Sequence, residues 1–279
     1  MDIKSEFDKY DFIGYHFSVI NDINEYKYKV IQIFCVGPRQ YSVSSIVQKC
    51  IDMKYYKKHI IYSHSSYLFQ LSHINKHLLK MELTNALNVH AKGLVIHIPK
   101  ITIDEIITKL KEIMLIKKYL NDKTTMILLE HKAVIPEKDI TYETPEMINK
   151  LFVAIKKTFN NNKEFGFGDD KEFGFTVEKV FGFVVDTAHL YCSDVDITTK
   201  ENALKWINTL QYPEFIKLIH LNGNSSTNYK DIHAFPFSKN DLIWGTIQFK
   251  DSGAIAFIDF AKKNKIDIII EDHFCNGCT

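Results

Sequence analysis

Val180-Phe181-Gly182-Phe183-Val184-Val185-Asp186-Thr187-Ala188-His189 reads as a strand that stops abruptly at an acid. The run from Val180 to Val185 holds no polar residue, so no face is kept for water. A strand covered on both faces belongs to a parallel sheet flanked by helices. The same pattern recurs before and after it, at 12–17, 29–36, 59–63, 93–98, 126–130, 215–221 and 266–271. Segments with helical periodicity separate these runs. The clearest are 44–56, 71–90, 103–120 and 145–159, with shorter ones at 200–210 and 254–263. Thr102, Thr144 and Thr199 stand where N-caps are needed, the first two followed by Ile103-Asp104-Glu105 and Pro145-Glu146. Alternating strand and helix signals predict parallel βα units. Eight of them in 279 residues predict a closed parallel barrel, the α/β class (β/α)8 TIM barrel, which takes about 250 residues. A doubly wound open sheet is the other arrangement this alternation allows.

The reading is of one domain over 1–279. Residues 160–179 break the rhythm. There Lys163-Glu164-Phe165-Gly166-Phe167 is nearly repeated at Lys171-Glu172-Phe173-Gly174-Phe175, which predicts a surface insertion on the side of the barrel away from the strand ends. Residues 272–279 are expected to form a short tail. Within it Cys275 and Cys278 form a Cys-x-x-Cys pair with no helix after it, read as frayed rather than as a redox or metal site.

Bulk properties narrow the classes. A hydrophobic content of 46% supports a large core and argues against disorder. No apolar run approaches the roughly 20 residues of a membrane helix, and the start of the chain lacks a signal-like stretch. Five cysteines without a dense framework suit a reducing compartment, so an intracellular protein is expected. The formal net charge of +1 gives no sign of a nucleic-acid partner by itself.

The strand ends carry the chemistry. In such a barrel, functional groups sit at the C-terminal ends of the strands. Six consecutive runs finish at His64, His97, Glu130, Asp186, His220 and Glu271, and all would converge on one rim. His189 follows three residues after Asp186, and Asp231-Ile232-His233 lies in the loop after the seventh run. Any one of these has an ordinary explanation: a solvated histidine, a salt-bridged glutamate, a loop-capping aspartate. Jointly they form the nitrogen and oxygen ligand set of zinc and related divalent ions.

The same residues bear a resemblance to the endonuclease IV family of abasic-site endonucleases. His64-Ser65-Ser66-Tyr67-Leu68 is similar to its His-x-Ser-Tyr-Leu motif, and Asp186-Thr187-Ala188-His189 to its Asp-Thr-x-His motif. His220-Leu221-Asn222 resembles its His-Leu-Asn motif, and Asp231-Ile232-His233 its Asp-x-His motif. The likeness runs from about Asp11 to Glu271. It implies three zinc ions, with manganese as a replacement. The first would be held by His64, His97 and Glu130. The second would be held by Glu130, Asp186, His220 and Glu271, which makes Glu130 the bridging, catalytic carboxylate. The third would be held by His189, Asp231 and His233. Zinc lowers the pKa of bound water to about 7, so no nucleophilic side chain would be required. The implied reaction is hydrolysis of the phosphodiester 5′ to an abasic site in double-stranded DNA, leaving a 3′-OH for base-excision repair. The resemblance also assigns DNA contacts. Arg39 and Gln40, in Gly37-Pro38-Arg39-Gln40-Tyr41, would probe the stack, and Tyr67 and Leu68 would support the flipped nucleotide. Read alone, Arg39 is a surface arginine and Tyr67 a core tyrosine. His16 would lie near the site without being a ligand.

Some features depart from the family. Ala234-Phe235-Pro236-Phe237-Ser238-Lys239-Asn240-Asp241 stands where a Gly-rich turn is usual, and His131-Lys132-Ala133 replaces an Asn-Thr or Thr-Pro sequence. The Gly-Pro-Arg loop and the short end are similar to versions from large DNA viruses, which would place the protein with DNA in the cytoplasm, nucleus, virus factory or virion. A monomer free of membranes is expected. Two other functions compete. A sugar isomerase or epimerase on the same barrel would use Glu130, Asp186, His220 and Glu271 around one divalent ion. A non-catalytic lesion-binding or virion-associated protein would need no bridged hydroxide, so the intact ligand positions argue against it.

Overall fold

The computed structural model describes residues 3–17, 28–133, 141–160, 162–165, 167, 176–226 and 230–271. Eight parallel strands close into a barrel: β1 (Ile13–Phe17), β2 (Val30–Phe34), β3 (Ile60–His64), β4 (Gly93–His97), β5 (Met126–Glu130), β6 (Phe181–Asp186), β7 (Ile216–His220) and β10 (Asp267–Ile270). Neighbours follow chain order around the ring, and β10 returns beside β1. Between β7 and β10 a small antiparallel ribbon pairs β8 (Gly223–Asn224) with β9 (His233–Ala234). The closed parallel barrel expected from the alternation is the one the chain adopts.

Strand geometry explains the burial. Side chains alternate between faces with a period of two. On β5, Ile127 and Leu129 join the large core under the helices, whereas Met126 and Leu128 join the separate cluster that plugs the barrel. That plug contains Val30, Tyr62, Val95, Leu128, Val184, Leu218 and Ile269. Below it, Asp267 accepts from the Tyr62 hydroxyl at 2.8 Å and from Lys92 Nζ at 2.7 Å. Close strand approach sets one sequence constraint: a Cβ on Gly14 would lie 1.8 Å from the Val30 carbonyl oxygen.

The outer layer is built from α2 (Ser45–Asp52), α3 (Lys76–Asn88), α4 (Ile103–Tyr119), α5 (Pro145–Phe159), α8 (Lys200–Asn208) and α9 (Gly253–Asn264), with a short α1 (Ile3–Phe7) ahead of β1. The three threonine caps form. Thr102 makes a full capping box with Glu105, and the Thr144 and Thr199 hydroxyls accept from Met147 N and Asn202 N. The helix expected from residue 71 starts later, because Asn75 accepts from the backbone N–H of His77 and Leu78.

Two elements depart from the sequence reading. A short helix, α6 (Val177–Val180), precedes β6, so the strand begins at Phe181. Another, α7 (Thr187–Cys192), follows β6 directly. Asp186 caps it, its Oδ1 accepting from Ala188 N and His189 N. The stretch 160–179, read as a surface insertion, is not wholly on the surface. Phe165 and Phe167 are buried, packed on Phe159 at centroid distances of 5.6 and 5.4 Å, and Phe167 lies parallel to Phe181. Aromatic residues in a Gly-rich repeat found apolar cover under α5. Residues 161, 166 and 168–175 lie outside the described residues, as does the expected tail 272–279 with Cys275 and Cys278. Among the described residues no helix is long and apolar enough to cross a membrane.

Candidate metal centre

Two residues beyond the upper plug residues, on the same inward-facing parity, stands a polar side chain. Tyr62 is followed by His64, Val95 by His97, Leu128 by Glu130, Val184 by Asp186, Leu218 by His220, and Ile269 by Glu271. Register keeps them level: His97 pairs with Glu130, and Asp186 with His220. The apolar plug forms a floor, and the next layer up is a ring of imidazoles and carboxylates.

The ring resolves into three groups whose candidate ligand atoms lie within 4.8 Å of one another. The first is His64, His97 and Glu130, as the resemblance implied. Glu130 Oε2 lies 3.3 Å from His64 Nε2 and 3.1 Å from His97 Nε2. The second is Glu130, Asp186, His220 and Glu271. There His220 Nδ1 faces three carboxylates, at 2.8 Å from Glu130 Oε1, 3.5 Å from Glu271 Oε2 and 3.7 Å from Asp186 Oδ2. The third is Asp186, His189 and His233. Asp231, expected in that group, lies against both its imidazoles, hydrogen-bonded to His189 Nε2 at 2.9 Å and 3.0 Å from His233 Nε2. Glu130 is therefore shared by two groups, and so is Asp186. His16 lies beside the ring, its Nδ1 3.6 Å from Glu271 Oε1, and belongs to none of the three.

Electrostatics show what such a ring demands. Burial opposes the charge on Glu130, yet His220 and His97 hold its carboxyl well below the usual range. Burial likewise opposes ionisation of Glu271 and Asp186, which His220 and His189 respectively overcome. In return His220 and His189 are held well above the ordinary histidine value against their own burial, the first by Glu271 and Glu130, the second by Asp186 and Asp231. His233 is also opposed by burial and raised to about 9 by Asp186 and Asp231. Converging carboxylates in a buried site require positive charge among them. A divalent cation with mixed nitrogen and oxygen ligands supplies it without protonated imidazoles, so the residues present fit such ions.

The residues assigned to DNA sit on one edge of the ring. After β2 the chain turns back, Val36 bridging to Val43 and Gly37 N–H donating to Ser42 O at 2.9 Å. Arg39 and Gln40 are exposed at this turn. The turn is tied to the stretch after β3. Ser66 Oγ donates to the carbonyls of Gly37 and Pro38 at 3.0 and 3.1 Å, and Tyr67 N–H to Pro38 O at 2.9 Å. Tyr67 is 51% exposed, with its ring nearly parallel to that of His97 at 6.4 Å. An exposed aromatic face over a candidate ligand group is not the core tyrosine of the ordinary reading. Leu68 is half-buried against the main core.

Several residues around the ring escaped the sequence reading. Buried Gln32 touches His16, His220 and Glu271. Asn222 donates from Nδ2 to Asp186 Oδ2 at 2.8 Å and to Glu271 Oε2 at 3.2 Å, and its Oδ1 accepts from Glu271 N–H at 2.9 Å. His131 Nε2 accepts from Asp186 N–H at 3.1 Å, its carbonyl accepts from His189 Nδ1 at 2.6 Å, and burial pushes its imidazole down to about 3. Glu82 accepts the Ser66 N–H at 2.7 Å from α3. Parity was the signal available for Gln32, because it follows plug residue Val30 by two. Phe235 and Phe237, in the stretch that replaces a Gly-rich turn, pack on Phe7 of α1 with centroids 5.9 and 6.4 Å away. That loop is held by packing and by Asp241, which accepts from Asn224, Phe237 and Ile243 backbone N–H groups.

No family model matches the chain. Curated relatives span most of it. A protein of African swine fever virus called "Probable AP endonuclease" is 25% identical over 264 residues, covering 88% of this chain and 79% of its own. Its counterpart from a second isolate of that virus is 24% identical over 262 residues, with the same coverage. Among solved structures, the crystal structure of AsfvAP:AG superposes with a TM-score of 0.70 at 24% identity, covering 89% of this chain and 80% of that one. Endonuclease IV from Thermus thermophilus gives 0.64 at 16% identity, covering 94% and 93%. A D-tagatose 3-epimerase-like protein gives 0.60 at 16% identity, covering 93% and 90%. The barrel is thus common to both kinds of protein, and only the site can separate them.

Proposed function

We propose that this chain, a homologue of the viral AP endonucleases on the same barrel as endonuclease IV, is a zinc-dependent phosphodiester hydrolase that cuts DNA 5′ to abasic sites. One observation carries the reading: three metal-sized groups meet on one rim and share Glu130 and Asp186. On this reading His64, His97 and Glu130 hold one ion. Glu130, Asp186, His220 and Glu271 hold a second, and His189, His233 and Asp231 hold the third together with Asp186. Five imidazoles, four carboxylates and no thiolate suit zinc, with manganese as a workable replacement. Bound ions would supply positive charge to the phosphate and lower the pKa of coordinated water towards 7.

The chain's own residues do the rest. Glu130 spans the first two groups and fixes their separation. Arg39 and Gln40 enter the stack at the lesion, and Tyr67 with Leu68 supports the displaced nucleotide beside the ring. Asn222 orients Asp186 and Glu271 by donating to each. The chain acts as one domain and as a monomer on DNA within the cell.

The second reading is a sugar epimerase, favoured by the group of Glu130, Asp186, His220 and Glu271 and by the epimerase-like neighbour. An epimerase has no use for Asp231 held within 2.9 and 3.0 Å of His189 and His233. The test is elemental analysis of the purified protein paired with cleavage of a duplex carrying one abasic site. Close to three ions with incision at the lesion is expected. A content near one, with no further uptake and no incision, refutes the nuclease reading.

A further inference from the structure

Gln32 occupies the one position in the functional layer that is neither acidic nor basic. It stands two residues past Val30 of the plug, on the inward parity of β2, and is fully buried. A buried amide must place its oxygen and nitrogen correctly, because one end only accepts and the other only donates. Here the surroundings leave a single choice. Gln32 Nε2 lies 2.6 Å from Glu271 Oε1, and a carboxylate oxygen can only accept, so the nitrogen must face it. The second Nε2 proton goes to His16 Nδ1 at 2.9 Å. Gln32 Oε1 is thereby turned to His220 Nε2, 2.9 Å away, which must donate.

That constraint passes through the imidazole. A neutral histidine carries one proton, and if Nε2 holds it then Nδ1 presents a lone pair. His220 Nδ1 is the atom that faces Glu130, Asp186 and Glu271. We propose that Gln32 is a positioning residue for the second metal group: its amide fixes His220 as the Nε2–H tautomer, so that Nδ1 is the ligand atom, and at the same time orients Glu271. The inference rests on the metal-dependent reading of the same ring and assigns a role that the ligands alone cannot fill. With the amide reversed, a carbonyl would face the Glu271 carboxylate at 2.6 Å, two acceptors without a proton between them. The reversal would also let His220 carry its proton on Nδ1, where it would block the lone pair from any cation. Groups that orient metal ligands in this way typically change metal affinity by about 10–100-fold when removed.

The test uses the full chain and zinc. Gln32→Met keeps the length and volume of the side chain and removes both amide atoms. Zinc affinity is measured by chelator competition on wild type and variant, together with the ¹⁵N shifts of the His220 ring in zinc-loaded wild type. One ion of the set should bind about 10–100-fold more weakly in Gln32→Met, with the others unchanged. The wild-type His220 spectrum should show a protonated Nε2 and a metal-bound Nδ1. A protonated Nδ1 in loaded wild type overturns the proposal, and so does unchanged affinity in Gln32→Met. If wild type itself takes up no zinc, the metal-dependent reading fails first, so the two failures are told apart. Should Gln32→Met not fold, the wild-type spectrum alone decides.

Discussion

Glu82 couples the stability of the barrel to the loops that would touch DNA. It lies on α3, fully buried, and its Oε1 accepts the Ser66 N–H at 2.7 Å. The His64 imidazole and then the Val36 N–H also favour its charged form. Its Oε2 is buried with no hydrogen-bond partner among the described residues. Burial is the largest influence, outweighs all of these and raises the carboxyl from 4.5 to about 7. The folded protein thus holds the Glu82 proton more tightly than the unfolded chain does. The contribution to stability is complete below the unfolded value near 4.5 and is lost as pH rises through about 7. A shift of this size corresponds to ~3 kcal/mol over the full range. Glu82→Gln keeps an oxygen for Ser66 N–H and removes the titration. Urea denaturation of wild type and Glu82→Gln should therefore diverge with pH, the variant gaining about 2–3 kcal/mol relative to wild type between about pH 5 and about pH 8. The difference between the two proteins cancels the titration of groups common to both. A gap that stays constant over that range would show that Glu82 ionises freely, and the account of its burial would be wrong.

Further outcomes follow from the ring and its surroundings. His189→Ala should release one ion while abasic DNA still binds, and should slow incision by about 10²–10³, or 2.7–4 kcal/mol, as loss of one charge-stabilising group does; full metal content and full rate, measured by elemental analysis and gel cleavage, would revive the epimerase reading. Arg39→Ala should weaken binding to abasic duplex more than to intact duplex in a fluorescence titration, whereas an ordinary phosphate contact would weaken both alike and flatten the salt dependence. Thr102→Ala removes the hydroxyl that accepts from Glu105 N–H in the capping box of α4, leaves the Thr102 N–H free to donate to Glu105, and should cost about 1 kcal/mol in urea denaturation with no change in metal content.

The barrel was legible because the strands are largely apolar on both faces and most end on a polar residue. Those two properties gave the strand count, and the strand ends gave most of the ring. Three things were harder to read. α7 was hidden because its six residues are too short to show a helical period, and because the signal for it, Asp186 acting as cap, had already been read as a ligand. Phe165 and Phe167 sit among glycines and charges, so composition pointed to the surface, while the packing that buries them depends on Phe159 and Phe181, which belong to neighbouring elements. Asp186 was assigned to one group, yet it borders two. Spacing shows which rim a residue reaches, but only the fold shows that Asp186 Oδ2 lies 3.7 Å from both His220 Nδ1 and His233 Nε2.

That sharing explains how so much charge fits above one barrel. Three groups of this size that shared no residue would take ten ligands. The chain instead reuses two fully buried carboxylates. Glu130, at the end of β5, turns Oε2 to His64 and His97 and Oε1 to His220. Asp186, at the end of β6, turns Oδ2 towards both His220 and His233, while Oδ1 is taken by the first amides of α7. The capping bonds set the rotation of Asp186, and they also start the helix that carries His189 to the same locus. A single aspartate thus ends the strand, begins the helix and joins two groups. The requirement is local and geometric: the carboxylate must sit at a strand end on the inward parity, and a helix must follow without an intervening loop. An aspartate followed by helix-compatible Thr187-Ala188-His189 meets it, and one placed a residue earlier would face the outer helices instead.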